Sequence, residues 1–379
     1  MRQQRRWSLL AVLLALALFA AACGSDESST DETDESTTDE TSAADDTTET
    51  TAADDSADDA EQAAASDGDD AGDGLLVAFM SNQAAGDQGP VDGMIAGLEA
   101  SAAANGHETQ VVEALDPAAF ETQLRTLADS GADIIITTFF DLGALLEIVA
   151  PDYPDTTFIS VVAAPSEQPN VNVVDYQFFK GAFLAGVYAA TLSDTGQLGY
   201  VGGAPLPFAW ADFNAFTDGA STINPDIVTT ATFADGFEDP AGARELASGL
   251  YADGADVVLT GAAAGDLGVV EAAVENDAMV VVSSDLTAQG PNNVSLIVKL
   301  EWAQTIQNEI TDAIAGEGGR YRLAGPESGE VSFEVPQTFL DGASGDRAER
   351  AEAVLPELNA LVEQLVAGEL DIEQVSEER

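Results

Sequence analysis

Lys299 and Asp285 are the two residues of this chain whose chemistry most directly suits a polyhydroxylated ligand. An ammonium only donates hydrogen bonds and a carboxylate only accepts them, so together they satisfy both halves of a hydroxyl pair. Lys299 lies near the end of the apolar stretch NVSLIVKL (293–300), and Lys180 is the only other lysine. A chain that otherwise avoids lysine has no solubility reason to place one there. The alternative use of the same two residues is a structural ion pair between lobes. Phe237, just before Asp239-Pro240, offers a flat face to a planar ring or simply fills a core. Asp175 could accept a ligand N–H or cap a helix beginning at Phe178. Asp266 suits the first turn of a helix, where unpaired backbone N–H groups favour a carboxylate. Phe208 and Trp210 follow GYVGG (199–203) and either line a cleft or cap a lobe. His107 is expected on the far side of the molecule, exposed in a loop.

Catalysis needs more than this set provides. There is one histidine and one cysteine, too few for an ordinary Cys/His zinc site and for any disulfide within the chain. No nucleophile elbow, phosphate-binding loop or dinucleotide glycine fingerprint is present. The expectation is a binding protein with no cofactor, not an enzyme.

The elements that must position these residues alternate. LLVAFM (75–80), 110–114, DIIITT (133–138), 157–162 and 171–176 read as strands, and so do 198–201, 227–233, 256–260, 279–283 and 293–300. Helical patterns fall between them, at 90 onward, 117–130, 142–149, 178–192, 213–222, 240–251 and 267–275. Strands that are continuous apolar runs separated by helices describe parallel sheets covered on both faces. There are too many strands for one comfortable open sheet. Two lobes follow: 75–177 with 293–318, and 178–292 with 319–379, joined by three crossovers. The stretch 170–203 founds the second lobe. Its helix 178–192 is apolar on nearly every face and carries Gly181, Ala182, Ala185, Gly186, Ala189 and Ala190, which predicts close packing. In open α/β sheets ligands bind beyond the carboxyl ends of the strands, so the site is expected between the lobes.

The 379 residues accommodate two such domains and a tail. A formal net charge of −56, from 68 acidic and 12 basic residues, repels phosphates and anionic lipid, so nucleic acid is not an expected partner. Met1–Arg6 carries Arg2, Arg5 and Arg6, followed by an apolar run to Ala22 that is short for a permanent span. Cys23 follows three alanines and precedes Gly24, a pattern that resembles a lipobox; residues 1–23 are therefore expected to be a lipoprotein signal, with Cys23 lipidated and the protein held at the outer face of the membrane. Residues 24–74 contain only Gly, Ser, Thr, Ala, Gln, Asp and Glu, cannot bury enough apolar surface to offset ordering, and are expected to form a disordered acidic tether.

KGAFLAGVYAA (180–190), GYVGG (199–203), FNAFTDGASTINPDI (213–227), FEDPAGARELASGLYADGADVV (237–258), LGVVEAA (267–273), the Lys299 strand and the tail LPELNALVEQLVAGELDI (355–372) together resemble the basic membrane protein (BMP) lipoproteins, nucleoside-binding components of ABC importers. The resemblance covers about 75–372 and rests on the order and spacing of the segments. It implies an α/β chain with the type I periplasmic-binding-protein fold, two doubly wound parallel-sheet lobes joined by three crossovers. It also implies a monomer that captures a nucleoside-like ligand and passes it to an ABC permease. Carried over position by position, Asp87 matches the family's first-loop Asp, while the aromatic–Asn pair that follows falls on Pro90-Val91. Phe139 or Phe140 is the candidate substitute for that missing ring. The second stacking aromatic falls on Phe237, and the glycine-rich loop falls on 264–268, including Gly265 and Asp266. The sugar-binding acidic pair falls on Ser283 and Asp285, with only one carboxylate kept, and the sugar-binding lysine falls on Lys299. A ligand-sensing lipoprotein, or a carrier for a sugar or another small molecule, is the alternative.

Overall fold

Two six-stranded sheets of matching order form the scaffold of the computed structural model, which describes residues 74–86 and 89–379. Cys23, the expected signal and tether, and Asp87 lie outside the described residues. The first sheet contains β1 (Leu76–Ser81), β2 (Glu108–Glu113), β3 (Ile134–Thr138), β4 (Thr157–Val161), β5 (Val171–Tyr176) and, at its edge, β11 (Tyr321–Ala324). Its order is β11-β5-β4-β3-β1-β2, parallel throughout. The second contains β6 (Gln197–Gly202), β7 (Val228–Phe233), β8 (Val257–Gly261), β9 (Met279–Val282), β10 (Val294–Leu300) and β12 (Val331–Glu334). Its order is β12-β10-β9-β8-β6-β7, with β12 antiparallel. The consecutive strands of each lobe thus follow the doubly wound order 2-1-3-4-5.

The helices of the first lobe are α1 (Pro90–Asn105), α2 (Phe120–Asp129), α3 (Phe139–Val149) and α8 (Trp302–Ile314). Those of the second are α4 (Phe178–Leu192), α5 (Pro207–Ile223), α6 (Pro240–Ala252), α7 (Asp266–Glu275), α9 (Gln337–Gly342) and α10 (Arg347–Ala367). Hydrophobic clusters lie on both faces of each sheet. Among the described residues no helix is long and apolar enough to cross a membrane.

Close packing of α4 follows from its small residues. An added Cβ at Gly186 would lie 2.0 Å from the Phe216 carbonyl oxygen of α5, and one at Gly219 of α5 would lie 2.0 Å from the Phe183 carbonyl oxygen of α4. On another side of α4, a Cβ at Gly181 would lie 2.5 Å from Val298 in β10. The helix is therefore wedged against a neighbour and a sheet at once.

The pairing revises the expected lobe boundaries. Residues 294–300, expected in the first lobe, pair with β9 and β12 in the second sheet. Residues 321–324, expected in the second lobe, pair with β5 in the first. Three crossovers remain, leaving from the carboxyl ends of β5, β10 and β11. Strand β11 is only four residues long and carries Arg322 at its centre, so it has no apolar run to betray it. Helix α5 starts six residues before the expected 213, because Pro207 fits the first turn, where its missing N–H costs nothing. His107 lies in a loop between α1 and β2, as expected, but is buried, 5% exposed, rather than exposed.

Candidate functional site

The strand order reverses between β1 and β3 in one lobe and between β6 and β8 in the other. The crevices beyond the carboxyl ends of these strands are where doubly wound sheets hold ligands. Backbone strain gathers at the same ends. Of the four described non-glycine residues with positive φ, Phe139 (62°), Val162 (60°) and Ala263 (53°) directly follow, or lie within two residues of, the ends of β3, β4 and β8. Such conformations are costly for bulky or β-branched side chains and collect at binding sites.

In the first lobe the strained turn at Phe139 separates two rings. Phe139, like Val162, Tyr176 and Trp302, packs against the hydrophobic cluster on one face of the sheet, whereas Phe140 is 54% exposed. Of the pair that falls on the family's aromatic and Asn, Pro90 is half-buried and Val91 is fully buried. Asp175 sits near the end of β5 and its carboxylate accepts the Tyr176 N–H at 2.9 Å. It does not cap α4, whose N-cap is Gln177 without a side-chain bond. Burial raises its carboxyl pKa, partly offset by that N–H.

In the second lobe Phe237 lies in the loop between β7 and α6. Its ring presses on the backbone of Gly203, where an added Cβ would come within 2.2 Å of Cδ1. It also stacks with Phe208 of α5, centroids 6.1 Å apart and planes at 26°. Phe208 is 44% exposed. Trp210, on the same helix, packs edge-on against Phe213 and Phe233 and so belongs to the wall of the lobe. Gly265 is buried at the start of α7. Asp266 is buried under the loop, with Oδ1 accepting the Thr260 hydroxyl at 2.6 Å and the Ala262 N–H at 2.7 Å. It stands in the first turn of α7, as its position suggested, but its bonds run back to the end of β8 and the loop rather than to the N–H groups of the helix. Ser283 is partly buried just beyond the end of β9.

The Lys299–Asp285 ion pair does not form. Lys299 instead pairs with Glu334 on the neighbouring β12. Asp285 accepts the Thr287 N–H and hydroxyl within its own turn. These two bonds, then the nearby Lys299 charge, hold its carboxyl below the usual range. Both side chains stay accessible at the carboxyl edge of the sheet. Among the described residues no cluster of histidine, cysteine and carboxylates is placed to hold a metal ion.

The crossovers are fastened by charge. Arg322 of β11 forks onto Glu330 of the third crossover at 2.6 and 2.7 Å and reaches Glu309 of α8 with Nε. Glu309 and Glu330 are both fully buried. Arg320 adds bonds to Glu309 and Asp312 at 2.9 and 2.6 Å. Lys180 at the start of α4 pairs with Glu327, and the Glu301 N–H donates to the Glu330 carbonyl at 2.9 Å. These bonds tie all three chain crossings to one another.

The family model for PnrA-like ABC transporter substrate-binding proteins, Bmp, matches residues 75–356. The chain belongs to the Bmp family. Basic membrane protein A2 of Borrelia garinii is 26% identical over 221 residues, covering 56% of this chain and 66% of that protein. A putative ABC transporter glucose-binding protein of Haloferax volcanii is 29% identical over 151 residues, covering 40% of this chain and 38% of its own. A purine-binding protein of Brucella abortus is 28% identical over 138 residues, covering 36% and 39%. The chain thus spans just under two-thirds of the length of the first of these curated relatives and well under half of the other two. A solute-binding protein structure from Conexibacter woesei shares the fold, with a TM-score of 0.67 at 24% identity, covering 80% of this chain and all of that one. The Bmp family is one of substrate-binding proteins, not enzymes.

This Bmp chain carries a buried acid that the sequence did not single out. Asp212 of α5 is 7% exposed, and burial pushes its carboxyl well above the usual range. It acts electrostatically on the fully buried Tyr200 hydroxyl, which has no hydrogen-bond partner among the described residues. Burial likewise raises Asp266 to about 6. Between pH 4 and these raised values the folded chain keeps protons that the unfolded chain releases, so both groups reduce stability as pH rises. Asp212→Asn is expected to raise the melting temperature at pH 7 to 8, with the gain shrinking towards pH 4. Each unit of displaced pKa corresponds to about 1.4 kcal/mol. Melting curves across that range check it, and a gain independent of pH contradicts it.

Proposed function

We propose that this chain is the extracytoplasmic solute-binding component of an ABC importer, anchored through a lipidated Cys23 and a disordered acidic tether, and that it captures a nucleoside-like ligand between its lobes. The observation that carries this reading is the alignment of candidate groups along the carboxyl edges of two like sheets that share one hinge. Asp87, Phe140 and Asp175 would serve from the first lobe, with Phe139 as the strained support of Phe140. Phe237, Ser283, Asp285 and Lys299 would serve from the second, on the frame of Gly265 and Asp266. A planar base would stack on an aromatic ring, and the sugar hydroxyls would take the lysine as donor and the aspartate as acceptor. Closure about the crossovers would desolvate the ligand, and docking on a permease would reopen the lobes and release it unchanged. The protein would act as a monomer, with no cofactor and no nucleic acid partner. The purine-binding relative supports the nucleoside class.

A second reading is a sugar carrier. The glucose-binding relative and the serine at 283 favour it.

Lys299→Ala tests the site. The Lys299–Glu334 pair is partly exposed, with side-chain exposures of 37% and 50%, so its loss costs little stability. The variant is expected to melt near wild type yet bind nucleosides at least about tenfold more weakly in titration calorimetry, as for loss of a charge-assisted hydrogen bond. Unchanged affinity would move Lys299 out of the binding set.

A further inference from the structure

Resting on the reading of a nucleoside-like ligand, we propose that Phe208 is the ligand-facing aromatic wall of the second lobe and determines preference for a planar base, with Phe237 as the ring behind it. Only two phenylalanines among the described residues are exposed, Phe140 and Phe208. Both lie at a switch point, though on non-equivalent strands. Phe140 follows β3 and Phe208 follows β6, so each flanks the point where strand order reverses in its own sheet. The ring of Phe237 is less available. It presses on the Gly203 backbone and is stacked by Phe208. At 6.1 Å between centroids the two rings leave no room for a third, because a ring inserted between them needs about 3.4 Å on each side, near 7 Å in all. A planar ligand approaching this mouth therefore meets the outer face of Phe208.

The local build supports a wall rather than a loose side chain. Pro207 starts α5, which fixes the first turn from which Phe208 projects. The same helix is locked against α4 through Gly219. Behind Phe208, Phe237 supplies apolar backing and Trp210 closes the lobe over Phe213 and Phe233. Exposed aromatic surface held in this way is worth stacking energy to a base.

Phe208→Leu keeps the apolar bulk and removes the π face, while Phe208→Tyr keeps both. Titration calorimetry of the whole protein with purine nucleosides and with free ribose reads the difference. The expected result is a loss of about tenfold or more in nucleoside affinity for Phe208→Leu, near-wild-type affinity for Phe208→Tyr, and no change for any ribose binding. Nucleoside affinity that is unchanged or tighter in Phe208→Leu overturns the proposal and makes Phe208 a bystander or a plug over Phe237. Equal losses in both variants also overturn it, since they would report packing of α5 rather than a stacking face. A wild-type protein that binds no nucleoside overturns the nucleoside reading and this wall together, whereas wild-type binding that ignores Phe208→Leu sinks the wall alone.

Discussion

Arg322→Met is expected to destabilise the folded protein by about 3–5 kcal/mol. The guanidinium is the shared partner of two carboxylates with no exposure of their own, Glu309 and Glu330. Burial pushes the Glu330 carboxyl up, but the Arg322 guanidinium prevails and holds it below the ordinary range. Take the arginine away and two buried charges stand opposite each other with little solvent to screen them. Arg320 cannot compensate, since it reaches Glu309 and Asp312 but makes no bond to Glu330. Urea unfolding curves measure the loss. Adding Glu330→Gln to Arg322→Met should recover part of it, because the carboxylate left without a cation is then gone, while Glu309 keeps Arg320. A change below about 1 kcal/mol for the single variant, at the level of an ordinary surface pair, would contradict the picture of a charged hinge core.

Gly219→Ala is expected to lower the melting temperature, although the same change in an exposed helix stabilises by about 1 kcal/mol. The new methyl would fall 2.0 Å from the Phe183 carbonyl oxygen, a backbone atom that cannot turn aside. The reciprocal approach of Gly186 to Phe216 means that α4 and α5 have no slack on either side. They must separate, which opens the core around Leu184, Tyr188 and Phe216. Overpacking of this kind costs about 1–3 kcal/mol or more, and thermal unfolding should register a fall of about 2–12 °C. A variant that melts at or above wild type would show that the helices tolerate a wider spacing.

The glycine and alanine content of residues 178–192 made this contact readable in advance, because small residues on an apolar helix have no use except close approach. The doubly wound class was readable for a similar reason: β1, β3, β8 and β9 are uninterrupted apolar runs between helices. Assignment of the third crossover was not. Strand β11 earns its place by pairing with β5 and by sending Arg322 inward, and neither leaves an apolar signature. A chain with two lysines and ten arginines did hold a clue, since arginines at 320 and 322 are as conspicuous as the lysine at 299. The stacking of Phe208 on Phe237 was hidden because the β6–α5 and β7–α6 loops meet only through the parallel pairing of β6 with β7. The Lys299–Glu334 pair was hidden in the same way, by the register that sets Lys299 opposite Ser332 and Ile297 opposite Glu334.

On the proposed function, the two mouths, at the ends of β1 and β3 and of β6 and β8, close on one nucleoside-like molecule. Mass spectrometry of small molecules released on denaturing the freshly purified protein tests it most directly. The predicted result is a purine nucleoside in near-stoichiometric amount, whose return to the emptied protein raises its melting temperature. Recovery of a hexose instead, with a thermal shift from that sugar and none from any nucleoside, would contradict it.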